Sequence, residues 1–590
     1  MMEDSIFENE NASNNNNVIA SESIQGRIFH WFWVKKTPTN VKLINESRKK
    51  CIYQPFARNY FTKERVDPIH EYLEDEDYLL MPINVALKQF SNMGLKSIPD
   101  DRFLGYNRET KELPIVKVEL KEEFSQVSAK DACVKDLTKY GQASLCLPTG
   151  NGKTNVAIYI YGEMCKKENK RIRCLVVCHL KGLESQFADR IQSVCPGVKV
   201  GLLRDKSVQK NIERYDFVVG TVQSITKKNK PPSKTLVLNN QKKSKQLLTS
   251  FDEETSLQQK KELKKSAWDK YKEDFKYNDS FFGLFGMTII DEAHRYTAEV
   301  WSSIFPLNNS RYLLQLTAQP KRGAGTWKRR ELWCGSASFW EERTYEGKGV
   351  MKYFEAEYER IPNQFKNDKD YDKINMINHL CSVDERNEYM ANVILKETKE
   401  IIEQGGTVLA VSERTERIPH LDSIKTMLKE KDSSVKVCIV NQNTKLTNDE
   451  IKEHNIILST PGKMGEFFDS DSVAVIVLMT PDISNDVLYQ LFGRGTRLNS
   501  KFKVVTVIYF IERYSWFEQR FQSHHKYFEE KLKFEIVLSD VKTRRGLEKS
   551  KNNIVETITG KRKSDRDDQN DRSVLFRPDS LAFKPKRNPF

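Results

Sequence analysis

The sequence predicts an α/β protein of two tandem lobes, each a parallel sheet covered by helices, preceded by a small N-terminal domain and flanked by disordered termini. Three observations predict it. Short runs rich in Val, Ile and Leu recur from about residue 116, each followed by a polar stretch of helical period, as strands buried on both faces and joined by crossover helices would read. A second set of such runs begins near residue 370. A glycine-rich turn stands between one strand of the first set and the helix that follows it, the arrangement that binds phosphate at a helix N-terminus.

Residues 1–26 are polar and Asn-rich and are expected to be disordered; they lack the apolar core of a signal peptide. Residues 27–115 mix aromatic and basic patches. Trp31, Phe32 and Trp33 could stack on nucleic-acid bases, but a small hydrophobic core is the favoured reading of such a cluster. Residues 116–345 form the first lobe, with strands in ASLCL, CLVVC, DFVVG, MTIID and YLLQL. Its rhythm breaks at 226–280, where 14 Lys/Arg stand against 8 Asp/Glu, as in a lysine-rich surface insertion. Residues 346–540 form the second lobe, with strands in TVLAV, VKVCIV, NIILST, VAVIVLM and VVTVIYF. The tail, 541–590, has 14 Lys/Arg against 7 Asp/Glu and no apolar period, and is expected to be disordered.

The whole chain has 590 residues and a formal net charge of +14, nearly all supplied by these two basic segments. The surplus fits a polyanionic partner, and any basic groove elsewhere must come from local placement. No apolar run is long enough to span a membrane. The ten cysteines include no C-x-x-C pair; Cys174 and Cys178 read as neighbours on a buried strand rather than as metal ligands, and scattered thiols fit a reducing compartment. A cytoplasmic location is expected. The segment GKRKSDR at 560–566 would serve a nuclear alternative, although phosphate contact by a disordered arm is the favoured reading.

Residues 145–154, LCLPTGNGKT, run from an apolar strand through Pro148, Thr149, Gly150, Asn151, Gly152, Lys153 and Thr154 into a helix. Gly150 and Gly152 let backbone N–H groups approach phosphates with no Cβ in the way. Lys153 would reach the β- and γ-phosphates of ATP and Thr154 would ligate Mg²⁺. The general phosphate-loop pattern has Gly where this chain has Leu147. At 287–296, MTIIDEAHRY, an apolar strand ends in adjacent carboxylates with separable tasks. Asp291 can hold the Mg²⁺, and Glu292 can orient and deprotonate the attacking water. Alone, this pair would read as the acidic first turn of a helix; the phosphate loop upstream turns the reading to chemistry. At 489–499, YQLFGRGTRLN sets Gln490, Gly493, Arg494 and Arg497 at Q-x-x-G-R-x-x-R spacing, which brings both arginines to one helix face, where a guanidinium could stabilise charge on a γ-phosphate.

These segments resemble the motifs of superfamily 2 helicases. Residues 147–154 resemble motif I, DEAH at 291–294 motif II, and 490–497 motif VI. LQLTAQPKR at 314–322 resembles motif III, with Thr317, Ala318 and Pro320 matching and Gln319 in place of the usual Thr. LVVCHLKGLESQF, DFVVGTVQSI, GGTVLAVSERTERIPHL and STPGKMGEFFDS resemble motifs Ia, Ib, IV and V. The style is that of the DEAH-type, XPB-like and poxvirus transcript-release helicases, as shown by EDYLLMPINVALKQF before the core, LAVSER in motif IV and an aromatic helix after motif VI. The Asn/Lys/Ile-rich composition also resembles a helicase of a yeast linear cytoplasmic killer plasmid.

The resemblance implies two RecA-like lobes that bind ATP and Mg²⁺ between them. His294 would couple the nucleotide site to the rest of the cleft, Gly465 and Asp469 would belong to the nucleotide site, and Thr221, Gln223 and Thr460 would touch the nucleic-acid backbone. An adenine-sensing Gln is expected before motif I; Gln126 is the nearest, in surroundings unlike the family pattern. The activity expected is ATP-dependent translocation or unwinding of nucleic acid, DNA favoured over RNA, in replication or transcription of a plasmid or viral-type genome, with proteins of those processes as partners. The alternatives are an RNA helicase, a remodelling or transcript-release ATPase that does not unwind, and a binding module without turnover. The intact Lys153, Asp291, Glu292, Arg494 and Arg497 weigh against the last.

Overall fold

A computed structural model describes residues 26–539 except 29–30, 39–40, 56–67, 75–77, 91–99, 108–111, 229–280, 298, 322–325, 342–346, 356–372, 414–418, 442–443, 445, 461–470, 497–499 and 513–514. The terminal segments expected to be disordered, except Gly26, which opens a strand, and all but residues 226–228 of the basic insertion lie outside the described residues.

The N-terminal part holds strands β1 (Gly26–Ile28) and β2 (Phe32–Lys35), helix α1 (Val41–Lys50), the short strands β3 (Ile52–Tyr53), β4 (Ile69–His70) and β5 (Leu73–Glu74), strand β6 (Tyr78–Met81) and helix α2 (Ile83–Phe90). Strands β1, β2, β6 and β5 form an antiparallel sheet in the order β1-β2-β6-β5, and β3 pairs with β4. Trp31 and Phe32 are buried and Trp33 packs against the core. The aromatic cluster is therefore core, as the favoured reading has it.

The first large sheet follows α3 (Gln126–Tyr140) and comprises β7 (Gln142–Cys146), β8 (Cys174–Cys178), β9 (Val200–Leu202), β10 (Phe217–Thr221), β11 (Met287–Ile290), β12 (Tyr312–Thr317) and β13 (Phe339–Trp340). All pairings are parallel, in the order β13-β7-β12-β11-β8-β10-β9. Helices α4 (Lys153–Glu168), α5 (Lys181–Val194), α6 (Val222–Lys228) and α7 (Trp327–Cys334) belong to this lobe. Helix α3 stops at Gly141, whose φ of +73° caps it; a Cβ there would lie 2.5 Å from Arg311 O, so only glycine lets the helix turn directly into β7.

The second large sheet runs from β14 (Gly349–Glu355) through helix α8 (Asp384–Glu403), β15 (Thr407–Val411), α9 (His420–Lys431), β16 (Val437–Val440), β17 (Ile456–Ser459), β18 (Val473–Leu478), α10 (Asn485–Gly495), β19 (Val505–Ile511) and α11 (Ser515–Lys526) to β20 (Glu535–Leu538). It too is wholly parallel, in the order β16-β17-β15-β18-β19-β14-β20. The ten strands expected from their apolar runs are all present. Four others carry too weak a signal to be read: β9 and β13 are only 3 and 2 residues long, β14 is half-buried at alternate positions over its first turns, and β20 is a short strand at the sheet edge. All ten cysteines are buried free thiols, and among the described residues no group of His, Cys, Asp and Glu is placed to hold a metal as a cluster. No helix among them is long and apolar enough to cross a membrane.

A buried ion pair ties this second lobe together. Arg386 of α8 meets Glu512, just beyond β19, at 2.6 Å, with both side chains fully buried, and donates to Met479 O beyond β18 at 2.8 Å. Beside it His420 contacts Ser412 Oγ at 2.8 Å and Asn387 Oδ1 at 3.1 Å; burial and the Arg386 charge push its pKa down to about 3, so it stays neutral. Removing one member of such a pair leaves the other charge buried without compensation, a loss of about 3–5 kcal/mol. Glu512→Leu should therefore lower the unfolding free energy of the full chain by roughly that amount in a denaturant titration. A midpoint equal to that of the unsubstituted chain would show that the pair carries no such weight.

Candidate nucleotide site at the strand ends

Parallel strands deliver their C-terminal ends to one edge of a sheet, where ligands of α/β proteins bind. In the first lobe this edge collects the loops after β7, β12 and β11, which lie side by side in that order. The loop after β7 is the phosphate loop. Leu147 and Pro148 are buried and Thr149 is half-buried. Gly150 turns with φ +90°, the buried Asn151 donates its N–H to Pro148 O at 3.2 Å, and Gly152, φ +75°, caps α4. The first N–H groups of a 16-residue helix therefore face the loop with no intrahelical acceptor, and the helix dipole favours an anion there. Lys153, the first residue of α4, is nearly buried and its Nζ lies 3.3 Å from Leu147 O and 3.4 Å from Pro148 O, drawn back across the loop it opens. Thr154 follows it, half-buried.

Gln126, whose sequence surroundings match the family pattern poorly, takes part in this loop. Its buried side chain donates from Nε2 to Asn151 O at 2.9 Å and accepts from Lys121 N at 3.0 Å. A Cβ on Gly152 would lie 2.8 Å from that Nε2, so Gly152 is needed for the approach of Gln126 as well as for its own φ.

The loop after β11 carries DEAH. Asp291 extends the ladder by donating its N–H to Val177 O at 3.0 Å. Glu292 has φ +48°, a left-handed conformation that costs a non-glycine residue of order 1–3 kcal/mol and that the surroundings must enforce. His294 is buried, with Nδ1 3.2 Å from Glu292 Oε2 and 3.0 Å from Thr317 Oγ1. Thr317 ends β12, and its Oγ1 accepts Gln319 N at 3.1 Å. His294 Nδ1 thus stands between the second carboxylate of DEAH and the T-A-Q-P turn, hydrogen-bonded to Thr317 and 3.2 Å from Glu292. Burial and the neighbouring Glu292 charge raise the Asp291 pKa. Burial raises that of Glu292 too, but Lys153 and His294 outweigh it, so Glu292 is held as the carboxylate. A carboxylate pair whose first member is electrostatically overloaded suits a divalent cation, and Asp291 with the Thr154 hydroxyl is the donor set that would hold Mg²⁺.

The second lobe reaches this edge through α10. A Cβ added to Gly493 would lie 2.7 Å from Thr149 Cβ, so the motif VI helix presses its backbone onto the phosphate loop. Gln490, half-buried, is one turn before Gly493 on the same face, and the backbone of Arg494 is on that turn. Ala318 of the T-A-Q-P turn packs against the second lobe's core. The side chain of Arg494, and the whole of Arg497, Gly465 and Asp469, lie outside the described residues. Thr460 follows β17 directly and is half-buried. Thr221, at the end of β10, spends its hydroxyl as a local cap that accepts Ser224 N at 3.2 Å, whereas Gln223 is exposed. The sequence offered Gln126 as the nearest candidate glutamine but not its partner, Asn151 O, and it did not announce the closeness of Gly493 to Thr149, for which a glycine next to a basic residue was the one hint.

Fold and site define an ATP-binding enzyme of two parallel-sheet lobes. A family model described as the Type III restriction enzyme, res subunit, matches residues 119–322. A protein of Acanthamoeba polyphaga mimivirus whose name reads ATP-dependent RNA helicase is 26% identical over 514 residues, spanning 85% of this chain and 84% of its own length. Among solved structures, T4 UvsW is 17% identical and covers 88% of this chain and 99% of its own, with a TM-score of 0.34; S. cerevisiae Dbp5 bound to RNA and ADP BeF3 is 11% identical and covers 73% and 93%, with a TM-score of 0.43. The chain is thus similar to that family over residues 119–322, and over most of its length to a protein named as an ATP-dependent helicase.

Lys153→Ala should abolish ATP hydrolysis in a phosphate-release assay. Glu292→Gln should keep nucleotide affinity and lose turnover by about 10²–10⁴-fold, the usual range for a general base. A Glu292→Gln protein that turned over normally would remove Glu292 from the chemistry.

Proposed function

We propose that the protein is an ATP-driven motor on nucleic acid with DNA as its track, working in replication or transcription of a plasmid or viral-type genome in the cytoplasm. The observation that supports it most is the meeting of the phosphate loop, DEAH, the T-A-Q-P turn and the motif VI helix at one sheet edge, with both lobes represented. In this reading the N-terminus of α4 and Lys153 bind the phosphates, and Mg²⁺ held by Thr154 and Asp291 would neutralise phosphate charge. Glu292, kept ionised by Lys153 and His294, takes the proton of the attacking water. Arg494 and Arg497 complete the site from the second lobe by stabilising charge on the γ-phosphate. The state of the phosphate passes from Glu292 through His294 to Thr317, whose turn touches the second lobe at Ala318. Thr221 at the end of β10, Gln223 in the first turn of α6 and Thr460 just after β17 contact the backbone of the nucleic-acid strand in this reading.

The preference for DNA rests on the XPB-like motif style. RNA is the second reading, favoured by the name of the mimivirus relative, which aligns over most of both chains. Steady-state hydrolysis by the full chain, with no nucleic acid, single-stranded DNA, duplex DNA or RNA, and Lys153→Ala as the blank, separates them. Stimulation by DNA and not by RNA is the expected result; the reverse would replace DNA with RNA and keep the mechanism. A strand-displacement assay beside it distinguishes unwinding from remodelling without unwinding. Truncation after residue 540 removes a net basic tail and should flatten the salt dependence of nucleic-acid binding. An unchanged slope would mean that the tail does not touch phosphates.

A further inference from the structure

Helix α7 follows the T-A-Q-P turn and carries two adjacent buried arginines that no helicase motif of this chain includes. Arg330 is fully buried, and its nearest carboxylate oxygen among the described residues is that of Glu331, 3.9 Å away. Its Nη2 donates to Pro320 O at 3.0 Å and its Nη1 to Ser144 Oγ at 3.2 Å. Pro320 closes the turn that begins at Thr317, and Ser144 lies on β7, the strand that leads into the phosphate loop. Burying a cation without a close counter-ion is costly, and a Leu or Met would fill the space without that cost. What the guanidinium adds is two directed donors that tie the T-A-Q-P turn to the phosphate-loop strand.

Arg329 points the other way. Its Nε meets Glu71 Oε2 at 3.1 Å, and its Nη1 meets Ser302 Oγ at 2.9 Å and Thr297 O at 3.5 Å, in the segment after DEAH. Glu71 is a buried residue of the N-terminal part, between β4 and β5, and its Oε1 also accepts Trp333 Nε1 at 2.8 Å. The Trp333 ring stands edge-on to Trp31 at 4.5 Å, Leu332 joins the N-terminal core, and Asn84 donates to Glu331 O at 3.0 Å. The N-terminal part, through Trp31, Glu71 and Asn84, therefore grips α7 along its length, and α7 in turn grips the turn that meets His294.

We propose that Arg330 is a positioning residue for ATP hydrolysis, holding Pro320 so that Thr317 stays against His294, and that the N-terminal part fixes it in place through Glu71. The role of residues 26–90 in this protein is thus to set the catalytic geometry of the first lobe. This rests on the reading of Glu292 and His294 as parts of the hydrolytic site.

The test uses the full chain with Arg330→Lys, which keeps the charge but cannot bridge both acceptors, and Glu71→Gln, which weakens the grip on α7 from outside the lobe. Each is measured for kcat and KM of ATP hydrolysis, affinity for fluorescent ADP, and thermal melting. Arg330→Lys should lower kcat about tenfold while KM and ADP affinity move less than about threefold, the pattern of an interaction that acts on the transition state. Glu71→Gln should show the same split at about a third of the size, and the double variant should fall no further than Arg330→Lys alone, because the two act through one helix. Unchanged kcat in a folded Arg330→Lys protein overturns the proposal. So does a loss of kcat and ADP affinity in step, which would mark general disruption of the lobe. If Arg330→Lys does not fold, Glu71→Gln with Ser144→Ala decides in the same terms, since Ser144→Ala removes one acceptor of Arg330 and leaves Pro320 in place. Activity in Lys153→Ala would instead remove the site reading, before Arg330 is considered.

Discussion

The hydrogen bond between His294 and Thr317, 3.0 Å long and buried, joins the two strand ends on which the site depends. Strand order places it there. The phosphate loop follows β7 and DEAH follows β11, but β12 lies between them. A nucleotide that touched both loops would straddle the end of β12, where the turn at Thr317 stands. Glu292 is held in a left-handed backbone conformation, and its carboxylate is steered by the same histidine. Strain at the second DEAH residue and the bond to Thr317 meet at the same imidazole nitrogen.

Each lobe fastens its working edge with a buried arginine that donates to a backbone carbonyl just beyond a strand. In the first lobe Arg330 donates to Pro320 O after β12. In the second Arg386 donates to Met479 O after β18. The solutions differ in how charge is met. Arg386 has Glu512 at 2.6 Å, a compact buried pair. Arg330 has neutral acceptors on the side of the site, and its helical neighbour Arg329 has the carboxylate, supplied by the N-terminal part. The carboxylate nearest the Arg330 guanidinium among the described residues is that of its helical neighbour Glu331, at the longer distance of 3.9 Å. A carboxylate closer to the phosphate loop would add negative charge next to the site that must take up ATP phosphates.

What was legible in the sequence follows from where its signals are local. Strands buried on both faces, such as CLVVC and VAVIVL, are continuous apolar runs and were read without a structure. Lys153, Asp291, Glu292 and His294 were legible because a strand, a turn and a helix start lie within ten residues, and the structure brings these four together. Gln126 was legible only as the nearest glutamine before the phosphate loop, because its acceptor, Asn151 O, becomes its neighbour only when α3 packs on α4. Arg329 and Glu71 are 258 residues apart, and a lysine- and arginine-rich WKRRELWC reads as a solvated helix. Its mean character is polar, yet both arginines are buried, because the acceptors that satisfy them come from four other segments, at Glu71, Ser144, Thr297 to Ser302 and Pro320.

The four residues from Thr317 to Pro320 meet DEAH, the second lobe and α7. Thr317 touches DEAH, Gln319 donates back to it, Ala318 packs on the second lobe and Pro320 is held by Arg330. Gly493 meanwhile brings the second lobe's helix onto Thr149 with no room for a Cβ. The second lobe therefore bears on the first at two points, the phosphate loop and this turn, which stand on adjacent strands. A change at the phosphates reaches the far lobe through both points at once. If the turn were loose, the contact at Ala318 would yield locally and the lobes would respond only to the phosphate loop. Anchoring Pro320 to β7 makes the turn and the loop move as one body. A rigid body with two contact points transmits rotation, where a single contact would transmit displacement alone.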